Sequence, residues 1–125
     1  DSGKIIDQIR YNLKKNDTAR ENYLKLMSTS VSLFIKLFDF LSKGNYSTEK
    51  QVEKNSTYYA RNEINYKLIK INFDTTLLNI HNQIRALIFP PYQLPVVNEK
   101  KIIKSKLFDD HIILTDINNN EQIYQ

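Results

Sequence analysis

The sequence predicts an α+β fold. Apolar residues recur at helical spacing in two segments, and a double proline stops the second of them. Beyond Pro95 the pattern changes to short apolar runs separated by turn residues, as in a small β element.

Residues 4–13 carry Ile5, Ile6, Ile9 and Leu13 with Asp7, Gln8 and Arg10 between them, after the turn signal Ser2-Gly3. A strand is expected near residues 5–11. Thr18 followed three residues later by Glu21 makes a capping box, in which each side chain reaches the other's backbone amide. A continuous helix over residues 18–41 follows, with Leu24, Met27, Val31, Phe34, Phe38 and Leu41 at three- and four-residue intervals. The stripe is expected to face the core, in preference to a partner or a membrane surface. Gly44 is the expected stop.

Residues 45–65 lose this pattern and read as a long polar loop carrying Tyr46, Tyr58 and Tyr59. A loop of that length in a compact domain commonly carries binding residues. Residues 66–73 alternate, with Ile69, Ile71 and Phe73 on one side, as a half-buried strand or extended connector does. Asp74 is the expected cap of a second helix whose Leu77, Ile80, Ile84 and Leu87 share a face, and Pro90-Pro91 must end it. Short strands are expected at Val96-Val97, residues 101–104 and residues 111–115, with turns at Asn98-Glu99 and Asp109-Asp110. Asn118, Asn119 and Asn120 read as a polar tail turn.

The chain has 125 residues, 41% apolar and 11% aromatic, within the range of one ordinary domain and far from the composition of a disordered chain. It lacks cysteine, which removes disulfides, thiolate metal sites and cysteine nucleophiles and fits a reducing cytoplasm. The run 31–41 is broken by Lys36 and Asp39 and is too short to span a membrane. Opening on Asp1 without methionine, the sequence reads as a fragment. The net charge of +4 and the cluster Lys100, Lys101, Lys104 and Lys106 raise the question of nucleic acid. The expected reading is a solvated strand face, since arginine-rich stretches and RNA-binding signatures are absent. A phosphate-bearing small substrate would use the same field.

By itself the sequence shows no complete active site. His81 and His111 lack partners at metal-ligand spacing, so no metal site is expected and both read as structural histidines. Neither a P-loop nor a dinucleotide fingerprint occurs.

Two separated segments, however, resemble folate-dependent formyltransferases. Asp1-Ser2-Gly3-Lys4-Ile5-Ile6 is similar to their Asp-Thr-Gly-Asp-Ile-Ile type of segment. Residues 80–91 are similar to their Ile-x-Asn-x-Ile-Arg-Ala helix ending at prolines, with Asn82, Ile84, Arg85 and Ala86 matching position by position. Gln51, Arg61 and Ile64-Asn65-Tyr66 match more loosely. The resemblance covers roughly three quarters of the chain, residues 1–95. It implies the carboxy-terminal part of a Rossmann-like formyltransferase core, containing a long helix and a second shorter one, over residues 1–95. A small carboxy-terminal β element over residues 96–125 completes it.

The resemblance also implies an activity: a formyl group passes from 10-formyltetrahydrofolate to an amine through a tetrahedral intermediate. An asparagine, a histidine and an aspartate handle the protons and the oxyanion. Asp1 matches the aspartate, whose task would be to hold the histidine's tautomer and support its positive charge. The family's asparagine and its His-x-Ser-x-Leu-Pro motif are absent, as is the portion that binds most of the folate, so the chain alone is expected to be inert.

After the second helix, methionyl-tRNA formyltransferases tend to have Pro-Gly-Ala-Phe and a full β-barrel domain. Here the run is Phe89-Pro90-Pro91-Tyr92-Gln93-Leu94-Pro95, similar to the enzymes that act on dTDP-linked amino sugars. Tyr92 or Phe89 would stack on the pyrimidine, with packing as the competing role of each ring, and Gln93 would hydrogen-bond. Tyr59 and Arg61 are candidates for the sugar or the pyrophosphate. Arg85 is expected to tie helix to loop. The sugar-acting branch also implies a homodimer through the carboxy-terminal part and a role in a surface polysaccharide. A methionyl-tRNA formyltransferase fragment and a non-catalytic basic module for RNA or anions remain the alternatives.

Overall fold

The computed structural model describes residues 3–52, 56–58, 60, 65 and 69–125. Its contacts divide the chain into two units, Asp1–Tyr11 with Lys25–Ile69 and Asn12–Leu24 with Lys70–Gln125.

Helix α1 spans Ala19–Ser42. Its start is the expected capping box: the Thr18 amide donates to Glu21 Oε2 at 2.6 Å, and the Glu21 amide donates to Thr18 Oγ1 at 3.4 Å. Its end is a Schellman turn. Gly44 takes the left-handed conformation at φ 66°, its amide donates to the Leu41 carbonyl and the Asn45 amide donates to that of Phe40.

The apolar stripe of α1 does not face a core formed by the described residues. Leu24, Met27, Val31, Phe34 and Phe38 are 46–57% exposed, and the helix has no buried residue. In the first unit, the half-buried row of the helix is Leu33, Leu37 and Leu41. Leu26, Ile35 and Phe40 are exposed as well, so apolar side chains occupy more than half of the circumference. Among the described residues no helix is long and apolar enough to cross a membrane.

In the same unit the segment expected as a strand at 5–11 pairs only at Ile5, which forms a bridge with Glu49. A strand persists only while a second backbone runs beside it, and here the pairing stops after one residue. Residues 66–68 lie outside the described residues, and 69–73 form no strand. Ile71 and Phe73, in the second unit, instead pack against its core.

That core lies between helix α2, Leu77–Leu87, and an antiparallel sheet of β1 Val96–Val97, β2 Lys100–Leu107, β3 Ile112–Asp116 and β4 Glu121–Tyr124, in that order. Ile80, Ile84 and Ile88 meet Val97, Ile102, Ile112 and Leu114, all at most 2% exposed. Thr76, not Asp74, caps α2: its Oγ1 accepts from the Asn79 amide at 3.3 Å. Asp74 is two residues too early for that bond, and its own amide is held by Asn72 Oδ1 at 2.9 Å.

The β1–β2 turn is the expected Asn98-Glu99, with both residues at positive φ, which matches the twist of a two-residue hairpin. Lys100, Lys101, Lys104 and Lys106 are exposed while Ile102 and Ser105 are buried, so the lysines do form a solvated face. The asparagine run is an internal turn between β3 and β4. Asp116 is buried there and accepts from the amides of Asn118 at 2.8 Å and Asn120 at 2.9 Å and from Asn120 Nδ2 at 3.2 Å. Burial by itself raises the Asp116 carboxyl, but these bonds outweigh it and hold it below the usual carboxylate range.

Candidate functional site

Asp1, Tyr59 and Arg61 lie outside the described residues. In the first unit the backbone next to Asp1 is anchored twice. Gln51 Nε2 donates to the Gly3 carbonyl at 2.6 Å, and Ile5 and Glu49 exchange both backbone bonds at 2.8 Å. Two pieces 48 residues apart that carry the formyltransferase resemblance are therefore joined in space.

In the second unit the candidate site is the loop that follows α2. Phe89 and Gln93 exchange amide-to-carbonyl bonds at 3.0 Å, and the Tyr92 amide also donates to the Phe89 carbonyl at 2.9 Å. The loop is thus a closed turn around Pro90-Pro91, whose peptide bond is cis. Tyr92 stands at its tip, 84% exposed, so it does not plug the junction between helix and strands. The Phe89 ring lies 5.8 Å from that of Tyr92 and is met edge-on by Tyr23 at 5.4 Å. Gln93 is half-buried, and its side-chain amide has no protein partner among the described residues. Tyr23 was not singled out in the sequence. Nothing local marks a residue on α1 as a neighbour of a loop beyond α2.

Arg85 is the tie expected of it. Its Nη1 donates to the Asp17 carbonyl at 2.7 Å and its Nε to Asn82 Oδ1 at 2.8 Å, which occupies the matched Asn82–Arg85 pair within the fold. His81 is structural too. It is fully buried, its Nε2 faces the Lys15 carbonyl at 3.0 Å and its Nδ1 faces Ser105 Oγ at 2.8 Å. A carbonyl only accepts, so Nε2 carries the proton and Nδ1 accepts from the serine. Burial pushes this imidazole below its usual value, with Arg85 and Lys15 adding to the effect against the Lys15 carbonyl. His111 stacks on Phe108 at 4.6 Å and pairs with Asp110 at 2.6 Å. That bond holds the exposed Asp110 carboxyl below its usual value. No cluster of potential metal ligands occurs among the described residues.

No protein-family model matches the chain. It is 31% identical to the methionyl-tRNA formyltransferase of Clostridium acetobutylicum over 96% of its length and 40% of that protein's. It is 26% identical to the methionyl-tRNA formyltransferase of Buchnera aphidicola subsp. Schizaphis graminum, over 79% of its length and 31% of the relative's. Among solved structures, the fold matches the sugar 3N-formyltransferase WlaRD, solved in the presence of dTDP and 5-N-formyl-THF. The TM-score is 0.81 and the identity 38%, over 99% of this chain and 49% of that one. An N-formyltransferase from Helicobacter canadensis, in complex with folinic acid and dTDP-3-aminofucose, matches at the same score and identity over 99% of this chain and 50% of its own. The chain therefore spans about half the length of these solved relatives and less of the curated ones. In fold it is α+β and resembles the corresponding half of a formyltransferase.

Proposed function

We infer that this chain belongs to the folate-dependent formyltransferases, and that the protein carrying it transfers a formyl group from 10-formyltetrahydrofolate to the amine of a dTDP-linked amino sugar. The observation that carries this reading is the match in fold and sequence, at 38% identity over nearly the whole chain, to a sugar 3N-formyltransferase and to an N-formyltransferase in complex with dTDP-3-aminofucose. The loop sequence agrees, since Pro90-Pro91-Tyr92-Gln93 replaces the Pro-Gly-Ala-Phe of the tRNA-acting branch. The second reading, a methionyl-tRNA formyltransferase, draws on the 31% identity to the clostridial enzyme.

In this reading residues 1–95 are the carboxy-terminal part of the catalytic domain and 96–125 a small β element. Asp1 orients the histidine that the family places elsewhere in the enzyme and supports its charge as the attacking amine loses its proton. Gln51 and Glu49 anchor Gly3 and Ile5, described residues of the segment that Asp1 opens. Tyr59 and Arg61 are assigned, from the resemblance, to the sugar or the pyrophosphate. None of the residues named in this chain is assigned to the folate, which the family holds mostly with its amino-terminal portion. The apolar surface of α1 is the face on which that portion packs, because a helix apolar over so much of its circumference is normally enclosed. A cytoplasmic homodimer serving polysaccharide synthesis completes the proposal. The outer edge of β4, which pairs with no strand among the described residues and has Ile123 66% exposed beside it, is a surface such a dimer would cover.

The residues of the 89–95 loop form one wall of the acceptor site. The test is Tyr92→Ala in the complete enzyme. Stacking on a base is worth about 1–3 kcal/mol, so the Michaelis constant for the nucleotide sugar should rise roughly 5- to 150-fold. With the ring 84% exposed, the melting temperature should stay within a degree or two. A large fall in melting temperature with an unchanged Michaelis constant would refute the assignment.

A further inference from the structure

In the second unit one side of α2 holds the segment that leads into α1. His81 Nε2 donates to the Lys15 carbonyl at 3.0 Å, Arg85 Nη1 donates to the Asp17 carbonyl at 2.7 Å, and the carbonyl of the C-cap residue Ile88 accepts from the Arg20 amide at 3.2 Å. The three residues of α2 are spaced by four and three positions, so they share a face. We propose that His81 is an acid-released lock: in its neutral form it fastens residues 15–20 to α2 and β2, and on protonation it lets them go.

Each of these bonds ends on the backbone of the segment, and only one of them responds to pH. A guanidinium keeps its donors throughout the neutral and acid range, and the bond between Ile88 and Arg20 joins two peptide groups. An imidazole changes its hydrogen-bonding pattern between about pH 5 and 8. Neutral, His81 gives its Nε2 proton to Lys15 and accepts the Ser105 hydroxyl at Nδ1, 2.8 Å away, so one ring joins the segment to β2 as well as to α2. Protonated, Nδ1 becomes a donor and Ser105 must turn its own proton elsewhere. That serine is 3% exposed, and its hydroxyl has no second partner among the described residues. The capping-box residue Thr18 lies within the held stretch, so release also frays the first turn of α1.

The charges around the ring oppose its protonation. Burial is the largest cause that lowers the imidazole from 6.5; Arg85 on α2 and Lys15 on the segment add to it, and the bond to the Lys15 carbonyl works against them. Lys104 and Lys106 flank Ser105 on β2, and Leu114 opposes it on β3. Helix α2 and strand β2 carry no acidic residue. Asp17 of the segment accepts from the Lys14 amide at 2.6 Å, and Asp116 of β3 is engaged in the asparagine turn. Once the segment opens, the ring meets water and titrates near its ordinary value, so the open form takes up a proton more readily than the closed one. The closed form therefore has its full stability above 6.5 and loses it as pH falls from there toward the lowered value. Asp110 and Asp116 are both held below 3.8, so their contributions are lost only in stronger acid.

The test is amide hydrogen exchange of the complete protein from about pH 7.5 to about pH 5. It is read by mass spectrometry on the peptide over residues 15–20 and corrected for the intrinsic pH dependence of exchange. The opening constant of that segment should be flat above 6.5 and rise below it, by at most about tenfold per pH unit for one proton. In His81→Gln the amide can donate to Lys15 and accept from Ser105 without titrating, so the rise should vanish. Changing the chain's other histidine, in His111→Gln, should leave the rise in place. Deuterium uptake at the C2 carbon of the wild-type imidazoles should in addition give His81 a midpoint below 6.5. The proposal is overturned by a flat opening constant in the wild type, by the same rise in His81→Gln, by loss of the rise in His111→Gln, or by a His81 midpoint at or above 6.5.

Discussion

Replacing Asp1 by asparagine in the complete enzyme should lower turnover about 10²- to 10⁴-fold, the usual contribution of a positioned proton-transfer group, and leave binding of the nucleotide sugar nearly unchanged. The expectation comes from the match of Asp1-Ser2-Gly3 to the formyltransferase segment. The same segment is anchored at two described residues, by Gln51 on the Gly3 carbonyl and by the Ile5–Glu49 bridge. Asparagine has nearly the shape of aspartate, so the anchors and the acceptor site should survive. What it lacks is the negative charge that balances an imidazolium and fixes which ring nitrogen carries the proton. Steady-state kinetics separates the two: kcat should fall while the Michaelis constant for the acceptor stays within about twofold, since the lost contact acts only as charge develops. Unchanged turnover would take Asp1 out of the mechanism.

Ile84→Ala should strongly destabilise the second unit. Ile84 is completely buried on α2, between Ile80 and Ile88 and opposite the sheet residues Ile102, Ile112 and Leu114. Removing a buried isoleucine down to alanine costs about 2–5 kcal/mol, the spread reflecting how far the surroundings collapse into the cavity. Val96→Ala, at 56% exposure on β1, is the control and should change stability by no more than about 0.5 kcal/mol. Denaturant unfolding of both variants decides the matter. Equal costs would mean that the core does not lie where α2 meets the sheet.

Local signals in the sequence were reliable guides to local structure. The capping box at Thr18 and Glu21, the stop at Gly44, the Asn98-Glu99 turn and the helix ended before Pro90-Pro91 all depend on residues within a few positions of one another, and all are present. The cap of α2 slipped from Asp74 to Thr76 because both residue types accept helix amides equally well, and only the backbone path selects between them. Strand β4 was missed because Glu121 and Gln122 look like a continuing polar tail. It exists because Asp116 organises the asparagine turn and returns the chain along β3. A stripe at helical spacing declares that it will be covered, not by what. Hence the face of α1 was legible while its exposure in this chain was not.

The candidate site divides in the same way. Tyr92 at the tip of the loop follows from the prolines around it, and Arg85 as a tie follows from its place inside a helix. The meeting of Tyr23 with Phe89 and that of Gln51 with Gly3 bring together residues far apart in the chain. Contacts of that kind are set by tertiary packing, which no local pattern encodes. Asp1, Tyr59 and Arg61 rest on the resemblance alone, because they fall outside the described residues.

The most direct measurement offers the complete enzyme 10-formyltetrahydrofolate together with a dTDP-linked amino sugar and methionyl-tRNA in one mixture, and follows the formyl group by mass spectrometry. Formyl should appear on the sugar nitrogen in step with release of tetrahydrofolate, with the tRNA left unmodified. Formyl on the methionyl-tRNA and none on the sugar would contradict the assignment of this chain to a sugar N-formyltransferase.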